Sequence, residues 1–434
     1  MKKRILNFTL VLYFLLISYG LLAQAVERFP KPDFQTDYVR PDLLTPEPRS
    51  AVLETLDVVV LIAALSLASF FALKQRSRRN VFLLMVFSLI YFGFYRKGCI
   101  CSVGAIQNMI YALFHSDYTI PLMVIAFFVI PLVFTLFFGR TFCAAVCPLG
   151  AIQDAVVLKP NKVPGWLAHV LSLFPYIYLG LAVLFAATGA GFIICQYDPF
   201  VGIFRFGASF NMVVLGVSML VLGTVVARPY CRFLCPYGVL LNWMSRLSKK
   251  HITITPDLCN NCRLCEESCP FGAIQPPVEA AYPGDKERGI RRLALLLMLL
   301  PVIVICSGWV VYRMHIPLSR YHFTVRLVED IQLENAGRRS ETIEETRTFR
   351  ASERPTEELV AEARTIQNNF KTGGWILGGF LGLILGFKII QLTVQKKRIE
   401  YSIDRGNCVS CARCVSYCPY EQVRLGIITP EEIV

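Results

Sequence analysis

Apolar residues in this chain gather in long unbroken runs. They show neither the strict alternation of a strand nor the one-sided stripe of a soluble helix. The first run extends from Ile5 to Leu22, behind Lys2-Lys3-Arg4 and ahead of Ala23-Gln24-Ala25. A basic start, an apolar middle and a small-x-small site read as a signal peptide over 1–25, with an uncleaved first membrane helix as the other reading. With the signal removed, 26–50 is a short Pro-rich external segment. Seven further runs lie near 52–73, 80–95, 120–138, 170–190, 210–227, 291–312 and 373–393. Each approaches the roughly 20 residues that an α-helix needs to cross a bilayer. The 80–95 run is short and is expected to tilt or to continue irregularly.

With an external start, alternation puts 74–79, 139–169, 228–290 and 394–434 inside the cell, and 96–119, 191–209 and 313–372 outside. Lys74-Gln-Arg76-Ser-Arg78-Arg79, Arg288 with Arg291-Arg292, and Lys396-Lys397-Arg398 all then fall inside or at its border. This is the positive-inside pattern. The net charge of +13 therefore reports topology in an inner, cytoplasmic membrane, and nothing in it calls for nucleic acid as a partner. Composition agrees. Charged residues make up 17% of the 434, against about a quarter in soluble domains, and hydrophobic residues 55%. The polar segment 313–372 contributes one more element. After Pro355, the residues Leu359, Ala363, Ile366 and Phe370 recur at helical spacing. That amphipathic helix either packs on the protein's own outer face or docks a partner.

The sixteen cysteines bring in the chemistry. Cys259-x2-Cys262-x2-Cys265-x3-Cys269-Pro270 recurs as Cys408-x2-Cys411-x2-Cys414-x3-Cys418-Pro419. This is the bacterial ferredoxin run, in which three close thiolates hold one [4Fe–4S] cluster and the fourth cysteine ligates the other cluster. Zinc sites favour two separated pairs of ligands instead. The expected sets are Cys259, Cys262, Cys265 and Cys418 for cluster I, and Cys408, Cys411, Cys414 and Cys269 for cluster II. Ile252-Thr-Ile-Thr-Pro-Asp257 and Tyr401-Ser-Ile-Asp404 look like matching short strands. Between the copies lies a membrane helix, an external segment and a helix back. The expected architecture is therefore an α-helical polytopic membrane protein with a small α+β ferredoxin-like domain for two [4Fe–4S] clusters, split by a transmembrane hairpin. Its parts are a membrane domain over 51–247, a first ferredoxin half over 248–290, the hairpin over 291–395 and a second half over 396–434.

A second group is Cys143-x3-Cys147-Pro148-Leu-Gly150 and Cys231-x3-Cys235-Pro236-Tyr-Gly238. Helical i, i+4 spacing puts both thiols of a pair on one face, proline ends the ladder, and glycine admits close backbone approach. Two such pairs can make a four-thiolate iron–sulfur or redox site in the membrane domain, or else they are helix-end packing. Gly104-Ala-Ile-Gln107 and Gly150-Ala-Ile-Gln153 match as well. The segments 96–154 and 191–242 thus look like an internal repeat, and such repeats commonly place a site at their interface. The third group, Cys99, Cys101 and Cys195, falls on the outer face. It could hold a further centre with Asp198, form a disulfide in that oxidising compartment, or be structural. Cys306 lies alone within an apolar run and reads as a small apolar residue. The five histidines do not pair in a way that would hold haem, no glycine-rich nucleotide loop is present, and Asp57 is the main carboxylate within a span.

Gly139-Arg140-Thr-Phe-Cys143-Ala-Ala-Val-Cys147-Pro-Leu-Gly150 and Arg228-Pro-Tyr-Cys231-Arg-Phe-Leu-Cys235-Pro-Tyr-Gly238, followed by ferredoxin runs, resemble the membrane polyferredoxins of the NosR and NapH type. Related copper-handling oxidase-assembly proteins share the pattern. The resemblance covers about 139–270 and 400–420. It implies an oxidoreductase-type electron-transfer subunit working between a cytoplasmic or quinol donor and an external flavoprotein, cytochrome or reductase. A redox-sensing regulator or an assembly factor for a respiratory metalloenzyme is the alternative. The chain departs from the NosR pattern in its short segment 26–50, which leaves no room for a flavin domain, and in its split ferredoxin.

Overall fold

The structure is a computed structural model that describes residues 50–98, 101–158, 160–254, 259, 262–278, 285–338, 343–352, 354–393, 398, 400–429 and 431. The signal segment, most of 26–50 and Cys99 lie outside the described residues.

All seven apolar runs beyond the signal are helical. Helix α1 (Ala51–Ser69) continues as a π-helical turn to Lys74, and α2 (Arg78–Ser88) likewise to Tyr95. A short apolar helix, α3 (Ser102–Phe114), follows, then α4 (Leu122–Phe138). Helix α5 (Pro148–Ala155) starts at the first Cys-Pro, and α6 (Phe174–Ala187) and α7 (Phe210–Val225) bracket the outer loop. Helix α8 (Pro236–Arg246) starts at the second Cys-Pro. Four helical stretches among the described residues are long and apolar enough to cross a membrane: 51–74, 165–187, 289–313 and 356–393.

Helix α9 (Asp285–Arg313) rises, α10 (Phe323–Asn335) lies in the polar segment, and α11 (Thr356–Thr393) returns. The amphipathic stretch after Pro355 and the last apolar run form one helix of 38 residues. No proline separates the two stretches, so nothing breaks the hydrogen-bond ladder between them. Leu359, Ala363, Ile366 and Phe370 are buried together with Val325, Leu327, Val328 and Ile331 of α10. The amphipathic face is thus occupied by the chain itself.

Helices α9 and α11 approach at backbone distance along a stripe of glycines spaced by four, Gly374, Gly378, Gly382 and Gly386. A Cβ on Gly378 would lie 2.4 Å from the Ser307 carbonyl oxygen, and one on Gly382 would lie 2.9 Å from the Val304 Cα. Small residues in this pattern let membrane helices pack tightly where no hydrophobic drive exists between them. Leu377 of α11 packs against Gly180 of α6, which seats the hairpin on the rest of the membrane domain.

The one sheet among the described residues joins the two sides of this hairpin. Strand β1 (Ile274–Gln275) pairs antiparallel with β2 (Ser402–Ile403), in register Ile274 with Ile403 and Gln275 with Ser402. A bridge from Val278 to Arg398 extends the pairing. The strand expected over 252–257 does not form at 252–254, and 255–257 lie outside the described residues. Ile252 is buried instead, and just before it Lys249 and Lys250 donate backbone N–H groups to Leu136 and Phe137 at the end of α4. The alternation there reports packing. The partner of β2 comes from the residues after the first cysteine run.

Candidate metal centres

The two ferredoxin runs fold alike. The fourth residue after the first cysteine of each, Arg263 and Ala412, takes left-handed backbone (φ 62° and 57°) and opens a short helix, Leu264–Ser268 or Arg413–Ser416. Each turn carries its third cysteine, Cys265 or Cys414, onto that helix. The fourth cysteines, Cys269 and Cys418, have extended backbone ahead of proline, which turns their side chains away from their own run.

The structure brings the cysteines together across the runs. Cys265 lies within electrostatic reach of Cys259, Cys262 and, from the other run, Cys418. Cys414 feels Cys411, Cys408 and, from the first run, Cys269. Cys269, Cys408, Cys411 and Cys414 line one small cavity walled by Ile252, Ile274, Ile403 and Val409. The donors are all thiols, the ligands that iron–sulfur clusters and zinc select. Among the described residues, no three His, Cys, Asp or Glu side chains gather as closely as a single ion would require.

The membrane-domain cysteines form a second gathering. Cys143 sits on the turn Phe142–Val146 and Cys147 caps α5; Cys231 sits on the helical turn Pro229–Phe233 and Cys235 caps α8. Cys147 and Cys235 each lie within electrostatic reach of Cys143 and Cys231, and Cys147 reaches Cys235 as well. The glycine after each Cys-Pro turns on a close approach. A Cβ on Gly150 would lie 3.3 Å from the Cys143 carbonyl oxygen and 3.3 Å from Arg228 Nη1. A Cβ on Gly238 would lie 3.5 Å from the Cys231 carbonyl oxygen and 3.5 Å from Arg140 Nη2.

Each segment thus sends an arginine into the other. Arg140 donates to the Gly406 carbonyl at 2.9 Å and to Cys143 Sγ at 3.7 Å, and it is 7% exposed. Arg228, 1% exposed, donates to the carbonyls of Cys143 and Ala144 and pairs with Asp154 at 3.4 Å. Asp154 also binds Arg78 at 2.5 Å and Arg413 at 3.1 Å. Burial opposes its ionisation, but Arg228, Arg78 and Arg413 hold the carboxyl well below the usual carboxylate range. Arg413 lies between Cys411 and Cys414, so this carboxylate ties the second ferredoxin run to the membrane domain. Gln153 accepts from the Tyr230 backbone N–H at 2.9 Å and donates to Cys231 Sγ at 3.2 Å.

Sequence reasoning missed these polar residues. The signal was present: Arg140 and Arg228 each stand three residues before a cysteine, and Gln153 belongs to the repeated Gly-Ala-Ile-Gln. Gln107, in the other copy, accepts from the Ile194 N–H at 2.9 Å, one residue before Cys195, as Gln153 does one residue before Cys231. Asp57 is buried and neutralised by Arg96 Nε at 3.0 Å and Tyr91 Oη at 2.8 Å. Cys306 is exposed on α9.

Shared walls connect the sulfur sites in two groups, and Cys147, within electrostatic reach of Cys143, Cys231 and Cys235, stands between the groups. Phe271 and Val409 line the cavity of Cys269, Cys408, Cys411 and Cys414 and also a larger one, about 440 Å³, onto which Cys143, Cys231 and Cys235 open. A narrow cavity beyond is lined by both Cys147 and Cys101, and the next, about 130 Å³, by Cys101, Cys195 and Asp198.

A 4Fe-4S binding domain family matches residues 119–166 and 208–255, and a second 4Fe-4S binding domain family matches 252–275. Protein NirI of Paracoccus denitrificans is 29% identical over 162 residues, 32% of this chain and 23% of that protein. The putative electron transport protein YccM of Escherichia coli is 27% identical over 34% of this chain and 45% of its own length. Regulatory protein NosR of Pseudomonas aeruginosa is 27% identical over 47% of this chain and 30% of its own length. The chain spans less than half the length of these three relatives. No solved structure matches the chain. With two 4Fe-4S segments around the duplicated Cys-Pro motifs, a ferredoxin run behind them and these relatives, the chain is similar to the membrane polyferredoxins of the NosR and NapH type.

Proposed function

We propose that this chain is a membrane-embedded iron–sulfur electron-transfer protein linking a cytoplasmic or quinol donor to an external redox partner. The observation that carries this reading is the run of thiols from Cys269, Cys408, Cys411 and Cys414, whose cavity shares Phe271 and Val409 with that of Cys143, Cys231 and Cys235, on to Cys147, which lies within electrostatic reach of those three and shares a cavity with Cys101, beside Cys195. In this reading Cys259, Cys262, Cys265 and Cys418 hold one [4Fe–4S] cluster, and Cys408, Cys411, Cys414 and Cys269 hold the other. The four membrane-domain thiols hold a further centre, placed at the interface of two repeats. When bound, such clusters supply one-electron carriers whose potentials follow charge, hydrogen bonds and burial.

The chain's own residues supply the environment. Arg140 is buried, has no carboxylate partner among the described residues, and touches a thiol sulfur. A buried cation needs an anion, and thiolates are the anions at hand. Pairing β1 with β2 across the hairpin supports a ferredoxin domain split in two and returned to one membrane face. The basic loops Lys74–Arg79 and Lys396–Arg398 support placing that face in the cytoplasm.

Iron content and EPR of purified protein test the reading. It expects about eight irons from the ferredoxin runs alone. Cys418→Ser should abolish the signal of the cluster built on Cys259, Cys262 and Cys265 and spare the other, and Cys269→Ser should do the reverse. Fewer than about eight irons, or each serine variant affecting its own run's cluster, would contradict it.

A further inference from the structure

At the outer end of the series, two thiols and a carboxylate stand apart from the ferredoxin runs. Cys101 caps the start of α3, and Cys195 lies on the helical turn Ile193–Gln196. Gly104 sits between them: a Cβ there would be 3.1 Å from Cys195 Sγ and 4.0 Å from Cys101 Cβ. Its lack of a side chain leaves room for the Cys195 sulfur beside the Cys101 backbone turn. Cys195 is exposed, while Cys101 is half-buried behind it. An accessible thiol backed by a sheltered one is the arrangement of an attacking and a resolving cysteine.

Asp198 completes the group. It is 2% exposed, and its Oδ1 accepts from the N–H groups of Phe200 and Val201 at 2.9 and 3.3 Å. Its Oδ2 is buried with no hydrogen-bond partner among the described residues, and Asp198 lines the same cavity of about 130 Å³ as both thiols. An unpartnered buried carboxylate oxygen is costly to keep, and here it lies beside two thiols that can lend it a proton. Burial holds this carboxyl up at about 6, against the pull of the two backbone amides and Arg205. The Gln107 amide, the counterpart of the one that reaches Cys231, is likewise buried without a donor contact.

We propose that Cys101 and Cys195 form a redox-active dithiol that reduces a disulfide of an external partner protein, with Asp198 as the proton acceptor. This rests on the orientation and the electron supply of the function proposed above. Burial and the neighbouring Asp198 charge hold the Cys195 thiol above the usual thiol range, so it reacts as the thiol: its proton passes to Asp198 as its sulfur attacks one sulfur of the partner disulfide. The partner's S–S bond breaks, its other sulfur leaves and takes a proton, and a mixed disulfide forms. Cys101 then attacks Cys195 Sγ and releases the second partner sulfur, which is also protonated. The partner gains two electrons and two protons, and Cys101–Cys195 is left as a disulfide. Two one-electron transfers from the chain's iron–sulfur centres, with two protons from the outer solvent, restore the dithiol. The narrow cavity lined by both Cys147 and Cys101 puts the supply next to the pair.

The test uses full-length protein in detergent, equilibrated over a series of glutathione redox buffers, quenched in acid, alkylated with a mass-tagged maleimide and mapped by peptide. Cys101 and Cys195 should oxidise together along a two-electron curve, and Cys99→Ser should leave that curve in place. With oxidised glutathione as the probe disulfide, Cys101→Ser should accumulate a Cys195–glutathione adduct that the wild type resolves. Asp198→Asn should slow adduct formation by at least tenfold at pH 7. Independent alkylation of the two thiols, loss of the curve in Cys99→Ser, or metal content that falls in Cys101→Ser and Cys195→Ser would each overturn the proposal. Iron measured on the same samples separates the two readings. Full iron with an inert pair overturns only the dithiol, and missing iron overturns the electron supply.

Discussion

A carboxylate that holds three arginines in a buried pocket cannot be neutralised without consequence. Asp154→Asn would leave Arg78, Arg228 and Arg413 facing one another around an amide. Breaking buried ion pairs on one side costs about 3–5 kcal/mol. The second ferredoxin run, held through Arg413, should loosen from the membrane domain. Hydrogen exchange across 405–425 should rise in this variant and stay low in the wild type. The pH dependence follows from the depressed carboxyl. It contributes stability at neutral pH, and that contribution is lost only when acidity passes below the ordinary carboxylate range. Wild-type protection should therefore be flat between pH 7 and 5, and a loss of protection in that window would contradict the ionised network.

Arg140 donates to the Cys143 sulfur, 3.7 Å away, and brings its charge within reach of Cys231 and Cys235. Arg140→Gln should lower the midpoint potential of the centre proposed for the membrane domain, by no more than about 4 kcal/mol of Coulomb interaction at an effective dielectric of 20. An EPR-monitored redox titration reads this directly, and an unchanged midpoint would place the charge elsewhere. That a guanidinium lies buried at this site was not legible from hydropathy, because arginine near a membrane end ordinarily faces the headgroups. The repeated spacing to the cysteine was the available clue.

Among the elements, helices were the most legible and strands the least. Each long apolar run folds as a helix, because length and the absence of charge leave an intramembrane backbone no other way to satisfy its hydrogen bonds. Helix α3 was hidden because only 13 residues separate its ends, and α10 because its apolar face is confined to one side of a polar sequence. Of the two expected strands, that at 401–404 forms at Ser402–Ile403, while none forms at 252–254: alternation in a short segment records which side chains are buried, and the neighbours that bury Ile252 come from far along the chain. The glycine stripe on α11 was visible as a spacing of four and carries a prediction of its own. Gly378→Leu would drive a side chain into the Ser307 carbonyl, which lies 2.4 Å from where its Cβ would stand. The hairpin should open, β2 should separate from β1, and the thermal midpoint in detergent should fall. A Cβ on Gly379 would meet only Val304 Cγ1, at an ordinary contact distance of 3.8 Å, so Gly379→Ala should melt like the wild type.

For the molecule as a whole, sequence spacing identified the cysteines and their grouping, and the structure adds their adjacency. The series from Cys408 to Cys195 depends on contacts between segments hundreds of residues apart, and no local pattern encodes those. Such a series is useful only if electrons pass along it from one face to the other. The most direct measurement seals a reduced, sulfonated viologen inside vesicles reconstituted with the full-length protein and places ferricyanide outside. The account predicts ferricyanide reduction that requires the protein and falls at least tenfold in Cys147→Ser, with the iron of the ferredoxin runs unchanged. Reduction no faster than in protein-free vesicles, or an undiminished rate in a variant lacking Cys143, Cys147, Cys231 and Cys235, would contradict it.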